Sequence, residues 1–333
     1  MNLRAAVLGG GSWGTTVASL VAENLPTTLW ARRADCVDEI NRANSNETYL
    51  PGATLSAKLT ASVDMEEVIR DADLLIMGVP SKAMRETLNE ASRYVRPWVP
   101  IISLAKGLEP DTRFRMTEVI KETLPGHPPG VLAGPNLALE IAKGFAAASV
   151  LAMEDEVIVK RLQPYFRRGV FRTYTNTDVI GCELGGAFKN VIAIAAGMGD
   201  GAGAGENTRS AVITRGLAEM TRLGVAMGGN AATFAGLAGM GDLMATATSP
   251  LSRNHTVGEQ LGQGRSLDAI INDMNQVAEG VKSSKVVVEL AEQHGVEMPI
   301  AQEVYKVCHK GATARQAFRG LLRHRPGSEH EVG

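Results

Sequence analysis

"AVLGGGSWGTTVASL", residues 6–20, sets a short apolar run, three consecutive glycines and a helix-forming stretch in direct succession. Gly9-x-Gly11-x-x-Gly14 falls where a strand would end and a helix would begin. In a dinucleotide-binding turn each glycine has a task. The first permits the tight turn, and the second lets the backbone approach a pyrophosphate. The third lets the helix pack close to the strand and aim its N-terminal amides at negative charge. A purely structural turn with the same spacing is the alternative, and the strand–turn–helix context at the chain's first strand favours the dinucleotide site.

The next apolar run, "TTLWAR" (27–32), reads as a second strand. An NAD-type site places an Asp or Glu about 20 residues past the glycines to accept from the ribose 2′-hydroxyl. Trp30-Ala31-Arg32-Arg33 stands there instead. Guanidinium groups suit a 2′-phosphate and stack on adenine, so NADP(H) is the favoured cofactor and NAD(H) the alternative. A solvated basic turn neutralised by Asp35 is the competing reading.

Buried runs continue at "DLLIMGV" (73–79), "VPIISLA" (99–105), "GVLAG" (130–134), "AAASVLA" (146–152) and "FRTYTN" (171–176). Helical patterns fall at 82–93, 112–122, 135–143 and 154–163. Strands alternating with helices predict a mostly parallel α/β sheet covered on both faces. Past about residue 185 the strand signals stop. Apolar spacing in 187–198, 209–224 and 283–295 is helical, and Gly224-Val225 and Gly295-Val296 read as helix C-caps. The expected organisation is a Rossmann-like domain over 1–184, then an all-helical substrate-binding and catalytic domain over 185–333.

With 44% hydrophobic residues the chain has material for two cores, and a formal charge of −2 argues against a nucleic-acid partner. No uninterrupted apolar run approaches the roughly 20 residues of a membrane span. Cys36, Cys182 and Cys308 are odd in number and far apart, so neither a disulfide framework nor a zinc site is indicated, and a reducing cytoplasm is expected. The six histidines lack metal-ligand spacing and no metal is expected; His255 falls near a candidate anion site and the others read as surface residues.

Lys106 follows the run 99–105 and precedes Gly107, which points its ammonium into the crevice beyond the strand ends or leaves it snorkelling on the surface. Lys189 lies in "GGAFKNVIAIAAG" (185–197) at what reads as the opening of a helix. Its apolar surroundings are expected to desolvate the charge and ease proton transfer, and a helix-surface charge is the competing reading. Asp242 would orient such a lysine, or would serve as a helix cap. Ser252 is a good N-cap, yet Arg253 in the first turn opposes the helix dipole. An arginine and Asn254 at that end make sense around a bound phosphate.

Together "GGGSWGT", "WARR", "VPS", "AKGLE", "AGPN", "GGAFKNVIAIAAGMGDG", "TRGLAEM", "GLAGMGDL", "SRN" and "GVEMPI" resemble the bacterial NAD(P)-dependent glycerol-3-phosphate dehydrogenases over nearly the whole chain. The resemblance implies interconversion of dihydroxyacetone phosphate and sn-glycerol 3-phosphate for phospholipid synthesis, a cytoplasmic enzyme, and a homodimer. It implies cofactor contacts at Gly9, Gly11, Ser12, Trp13, Gly14, Arg32, Arg33, Lys106, Ala138, Arg253, Val277 and Glu279. Substrate contacts are implied at Lys106, Gly134, Asn136, Lys189, Asn190, Asp242, Ser252, Arg253 and Asn254, with Lys189 as the proton-transfer group and Lys106, Asp242 and Thr246 around it. Asn136 departs from the usual Ser or Thr of the Gly-Pro-Ser/Thr motif, which leaves the hydroxyl contact unassigned.

Overall fold

A computed structural model describes residues 3–274 and 278–323. The chain divides into two compact units, Met1–Glu183 and Leu184–Gly333.

The first unit is built on one eight-stranded sheet in the order β3-β2-β1-β4-β5-β6-β7-β8. Its strands are β1 (Ala5–Leu8), β2 (Thr27–Trp30), β3 (Leu59–Ser62), β4 (Leu74–Met77), β5 (Ile101–Ser103), β6 (Pro129–Ala133), β7 (Ala147–Met153) and β8 (Phe171–Asn176). The continuous apolar runs of β1 and β4 divide with a period of two. Ala5, Val7, Leu74 and Ile76 enter the core on one face, while Ala6, Leu8, Leu75 and Met77 enter the core on the other. A sheet buried on both faces requires this composition.

All neighbouring strands are parallel except β6 and β7. The connection between those two contains only the five-residue helix Ala138–Ala142. At 1.5 Å per residue it spans about 8 Å, too little to carry the chain back along a strand of roughly 23 Å. The chain therefore reverses at the carboxyl edge of the sheet, and Gly134–Asn136 stays there. β3 escaped the sequence reading because "LTAS" offers only Leu59 and Ala61 to the core and leaves Thr60 exposed. The chain crosses from β3 to β4, on the far side of β1, so the strand order reverses at β1 and β4. That switch point is where open α/β sheets bind ligands.

In the second unit the described residues form helices and no strand. Val179–Gly201, 23 residues long, begins in the last residues of the first unit and becomes the central helix of the second. It has the length and composition to cross a membrane, but 94% of its most apolar window is buried within the protein. It is a core helix, and Glu183, Lys189 and Asn190 interrupt its apolar sequence, so the expectation that no uninterrupted apolar run reaches that length holds.

Gly295 ends the Glu279–His294 helix with φ 64°, the left-handed cap its sequence predicts. Gly224 does not cap its helix. Glu206–Ala226 runs through it, and a Cβ at Gly224 would lie 2.0 Å from the Phe234 ring. The glycine is there for close packing, a demand that leaves the same letter in the sequence as a cap.

Candidate active site

In the first unit the glycine turn closes on itself. Gly9 holds φ 123°, and a Cβ there would meet the Gly78 carbonyl carbon at 2.7 Å. A Cβ at Gly14 would lie 2.1 Å from the Gly9 oxygen, and one at Gly78 would lie 2.9 Å from the Gly14 Cα. Strand, turn and helix thus touch backbone to backbone at the switch point. Gly11 differs, because a Cβ there meets nothing within 4 Å. The fold does not need Gly11 to be bare, so the bareness serves something the chain does not itself supply. Gly11 is also the N-cap of the Ser12–Ala22 helix, which has no side-chain cap and no acid in its first turn. Unpaired amides and a positive dipole end face the same opening. The turn fits a dinucleotide pyrophosphate.

Asn46, fully buried, donates to the Gly10 carbonyl (3.1 Å) and to Thr15 Oγ1 (3.0 Å), fastening the turn to the helix. Nothing in the sequence assigns it a structural role, since an asparagine between loop residues has no periodic signature. Ser12 Oγ donates to the Tyr49 carbonyl at 3.0 Å, and Trp13 packs half-buried with its indole N–H unpartnered among the described residues. Ala138 accepts from Thr16 Oγ1 through its carbonyl (3.3 Å).

Beyond β2, Arg32 and Arg33 are both exposed, and Arg33 engages Asp35. Beyond β5, Lys106 Nζ donates to the Gly134 carbonyl at 2.8 Å. It is half-buried and anchored, so neither a lone ammonium nor a surface lysine describes it. Gly134 has φ 122°. Asn136 Oδ1 accepts from the buried Ser149 hydroxyl at 2.5 Å, and its Nδ2 is buried without a partner among the described residues. The carboxyl edge of the sheet therefore gathers Gly9, Gly11, Ser12, Trp13, Gly14, Arg32, Arg33, Lys106, Gly134, Asn136 and Ala138.

In the second unit Lys189 stands ten residues into the Val179–Gly201 helix, not at its opening as the sequence suggested. Its Nζ donates to Asp242 Oδ1 (2.5 Å) and to Thr246 Oγ1 (2.6 Å), and the Thr246 hydroxyl donates to the Asp242 carbonyl (2.7 Å). Lys189 is 4% exposed and Asp242 1%. One backbone contact sets this pair. A Cβ at Gly185 would lie 2.5 Å from the Ala238 oxygen. Lys189 is one helical turn past Gly185. Asp242 lies four residues past Ala238, beyond the π-helical Leu237–Gly241, so both side chains arrive at one place. Asp242 opens the Asp242–Thr248 helix, but its side chain serves the lysine and not the cap.

A ladder of glycines positions the candidate anion-binding residues. A Cβ at Gly258 would lie 2.1 Å from the Ile194 oxygen, and one at Gly262 would lie 2.4 Å from the Met198 oxygen. On the facing helix, Gly197 and Gly201 abut the carbonyls of His255 and Glu259 in the same way. Each rung advances by four residues on both helices. Arg253–Gly262 therefore runs parallel to Val179–Gly201 at backbone contact, with its N-terminus beside Asn190. Asn254 Nδ2 donates to Asn190 Oδ1 (2.9 Å) and accepts at Oδ1 from the Gly280 N–H (2.9 Å), next to Glu279. Ser252 accepts from the His255 N–H at 3.3 Å, the N-cap its sequence predicts. Arg253 is exposed in a first turn that has no acid. The repeated G-x-x-x-G of 197–201 and 258–262 was the available signal for this crossing.

The second unit thus assembles Lys189, Asn190, Asp242, Thr246, Ser252, Arg253, Asn254 and Glu279. Val277, the remaining implied contact, lies outside the described residues. The His255 ring turns to Asp200 (2.8 Å). His127, read as a surface residue, is buried with Nδ1 2.9 Å from the Val99 carbonyl, because it closes the underside of β5. All three cysteines are buried free thiols.

Two family models account for the chain: NAD-dependent glycerol-3-phosphate dehydrogenase N-terminus over residues 4–159, and NAD-dependent glycerol-3-phosphate dehydrogenase C-terminus over residues 178–319. The chain is 60% identical over 333 residues to glycerol-3-phosphate dehydrogenase [NAD(P)+] 2 of Sphingopyxis alaskensis, covering all of both chains. It is 54% identical over 330 residues to glycerol-3-phosphate dehydrogenase [NAD(P)+] 1 of Mycobacterium tuberculosis, covering 99% of this chain and 96% of that one. The crystal structure of glycerol-3-phosphate dehydrogenase from Coxiella burnetii superposes with a TM-score of 0.92 at 35% identity, covering 97% and 99% of the two chains. A ketopantoate reductase from Ralstonia eutropha, at 13% identity and a TM-score of 0.59, shares the fold alone. With both halves matched and this identity over its full length, the chain belongs to the NAD(P)-dependent glycerol-3-phosphate dehydrogenases of bacteria.

Proposed function

We propose that this chain reduces dihydroxyacetone phosphate to sn-glycerol 3-phosphate with NAD(P)H, reversibly, as a supply for glycerophospholipid synthesis. The single observation that carries the mechanism is the buried Lys189–Asp242–Thr246 cluster. The reduced nicotinamide, when bound, supplies hydride to the substrate's carbonyl carbon. Lys189 then donates its proton to the carbonyl oxygen as negative charge develops there, and takes it back in the reverse direction. Asp242 and Thr246 hold the ammonium in one orientation. Asn190, fixed by Asn254, presents an amide beside it. Ser252, Arg253 and Asn254, at a helix N-terminus, grip the phosphate.

In the first unit the Gly9–Gly14 turn with Ser12 and Trp13 holds the dinucleotide, and Lys106 adds positive potential beyond the sheet. NADP(H) is preferred over NAD(H), supported by the exposed Arg32 beyond β2. The family resemblance supports a homodimer, and three buried free thiols accord with a reducing cytoplasm. NADPH oxidation followed by absorbance tests the reading. Turnover is expected with dihydroxyacetone phosphate and not with dihydroxyacetone. Arg253→Ala is expected to raise KM for the phosphate substrate, and an unchanged KM refutes the phosphate grip.

A further inference from the structure

Arg33 immediately precedes the Ala34–Ala43 helix, and Asp35 lies in that helix's first turn. The Arg33 Nε donates to Asp35 Oδ1 at 2.9 Å, and its terminal nitrogen donates to the other carboxylate oxygen. Asp35 Oδ1 also accepts from the Cys36 N–H at 2.9 Å, so the carboxylate is anchored from the backbone side as well. The Arg33 guanidinium, with the Cys36 amide, holds the Asp35 carboxyl down at about 2, and the pair is charged at any working pH. Arg32 has no hydrogen bond or ion pair among the described residues. The two arginines read alike in the sequence and differ in the structure.

We propose that Asp35 is a cofactor-specificity residue that restrains the preference for NADPH by tethering Arg33. The inference rests on the reading that residues 30–33 face the adenosine ribose. With Arg33 neutralised, one guanidinium, Arg32, is left to meet a 2′-phosphate. A guanidinium fork occupied by one carboxylate cannot offer the same two N–H groups to a phosphate. The arrangement suits an enzyme that accepts both cofactors and costs it part of its selectivity for the phosphorylated one.

The test compares kcat/KM for NADPH and NADH at saturating dihydroxyacetone phosphate in the full-length enzyme. Asp35→Asn is expected to raise the NADPH/NADH ratio about fivefold, the scale of one exposed charge contact. The gain should shrink at high ionic strength. Adding Arg33→Gln to Asp35→Asn should abolish it. Asp35→Ser, which keeps an oxygen at the helix start, guards against a folding defect, and Kd values from NADPH fluorescence give a readout independent of turnover. An unchanged or lower ratio in both Asp35 variants overturns the proposal, as does a gain that survives loss of Arg33. Arg32→Gln separates the two levels. If it weakens NADPH alone while the Asp35 variants do nothing, only the tethering fails; if it weakens both cofactors equally, the reading beneath it fails too.

Discussion

Replacing Lys189 by methionine removes a charge from a place that water does not reach. Its partner Asp242 is 1% exposed, so the variant leaves a carboxylate buried with its cation gone. Breaking a buried pair from one side costs about 3–5 kcal/mol. Losing the group that stabilises the developing oxyanion costs about 10²–10³ in turnover. Both losses are expected in Lys189→Met, so that variant alone cannot separate a chemical role from a structural one. Lys189→Met with Asp242→Leu can. Substituting both members of a buried ion pair by apolar residues is often neutral or stabilising. The double variant should therefore regain most of its unfolding midpoint in urea and none of its turnover. NADPH affinity, measured by fluorescence, should be close to the parent's in both. Turnover that returned together with stability would show that Lys189 merely holds two helices together, and the proton-transfer assignment would fall.

Two glycines of the first turn should separate fold from function. Gly14→Ala drives a Cβ to 2.1 Å from a backbone oxygen and should destabilise the first unit, whereas Gly11→Ala meets nothing within 4 Å and should leave the thermal midpoint alone while weakening NADPH binding at least ~10-fold. A drop in midpoint for Gly11→Ala with unchanged Kd would contradict the fit of the turn to a pyrophosphate. Burial raises the Glu219 carboxyl from 4.5 to about 7, against the lowering effect of the Ile300 and Ala301 N–H groups that it accepts from. Between those values the unfolded chain has lost the proton and the folded one keeps it, so stability falls as pH rises through that window, by about 3 kcal/mol. Glu219→Gln should flatten this part of the profile in urea midpoints taken from pH 5 to 8, and a slope identical to the parent's would refute the raised carboxyl.

The sequence by itself determined the architecture and the family of each half. Gly9, Gly11 and Gly14 after an apolar run, and the misplaced Arg253 at a helix start, are local signals. Their meaning follows from backbone sterics and dipoles within a few residues, so the linear order preserves it. Tertiary structure decided what depends on pairs distant in the chain. Gly224 packs against Phe234 instead of capping a helix, and Lys189 meets Asp242 because Gly185 touches Ala238. The Gly258 and Gly262 rungs carry Asn254 to Asn190, and Arg33 is bound to Asp35 while Arg32 is not. A close approach needs two partners, and a sequence read one stretch at a time displays only one of them.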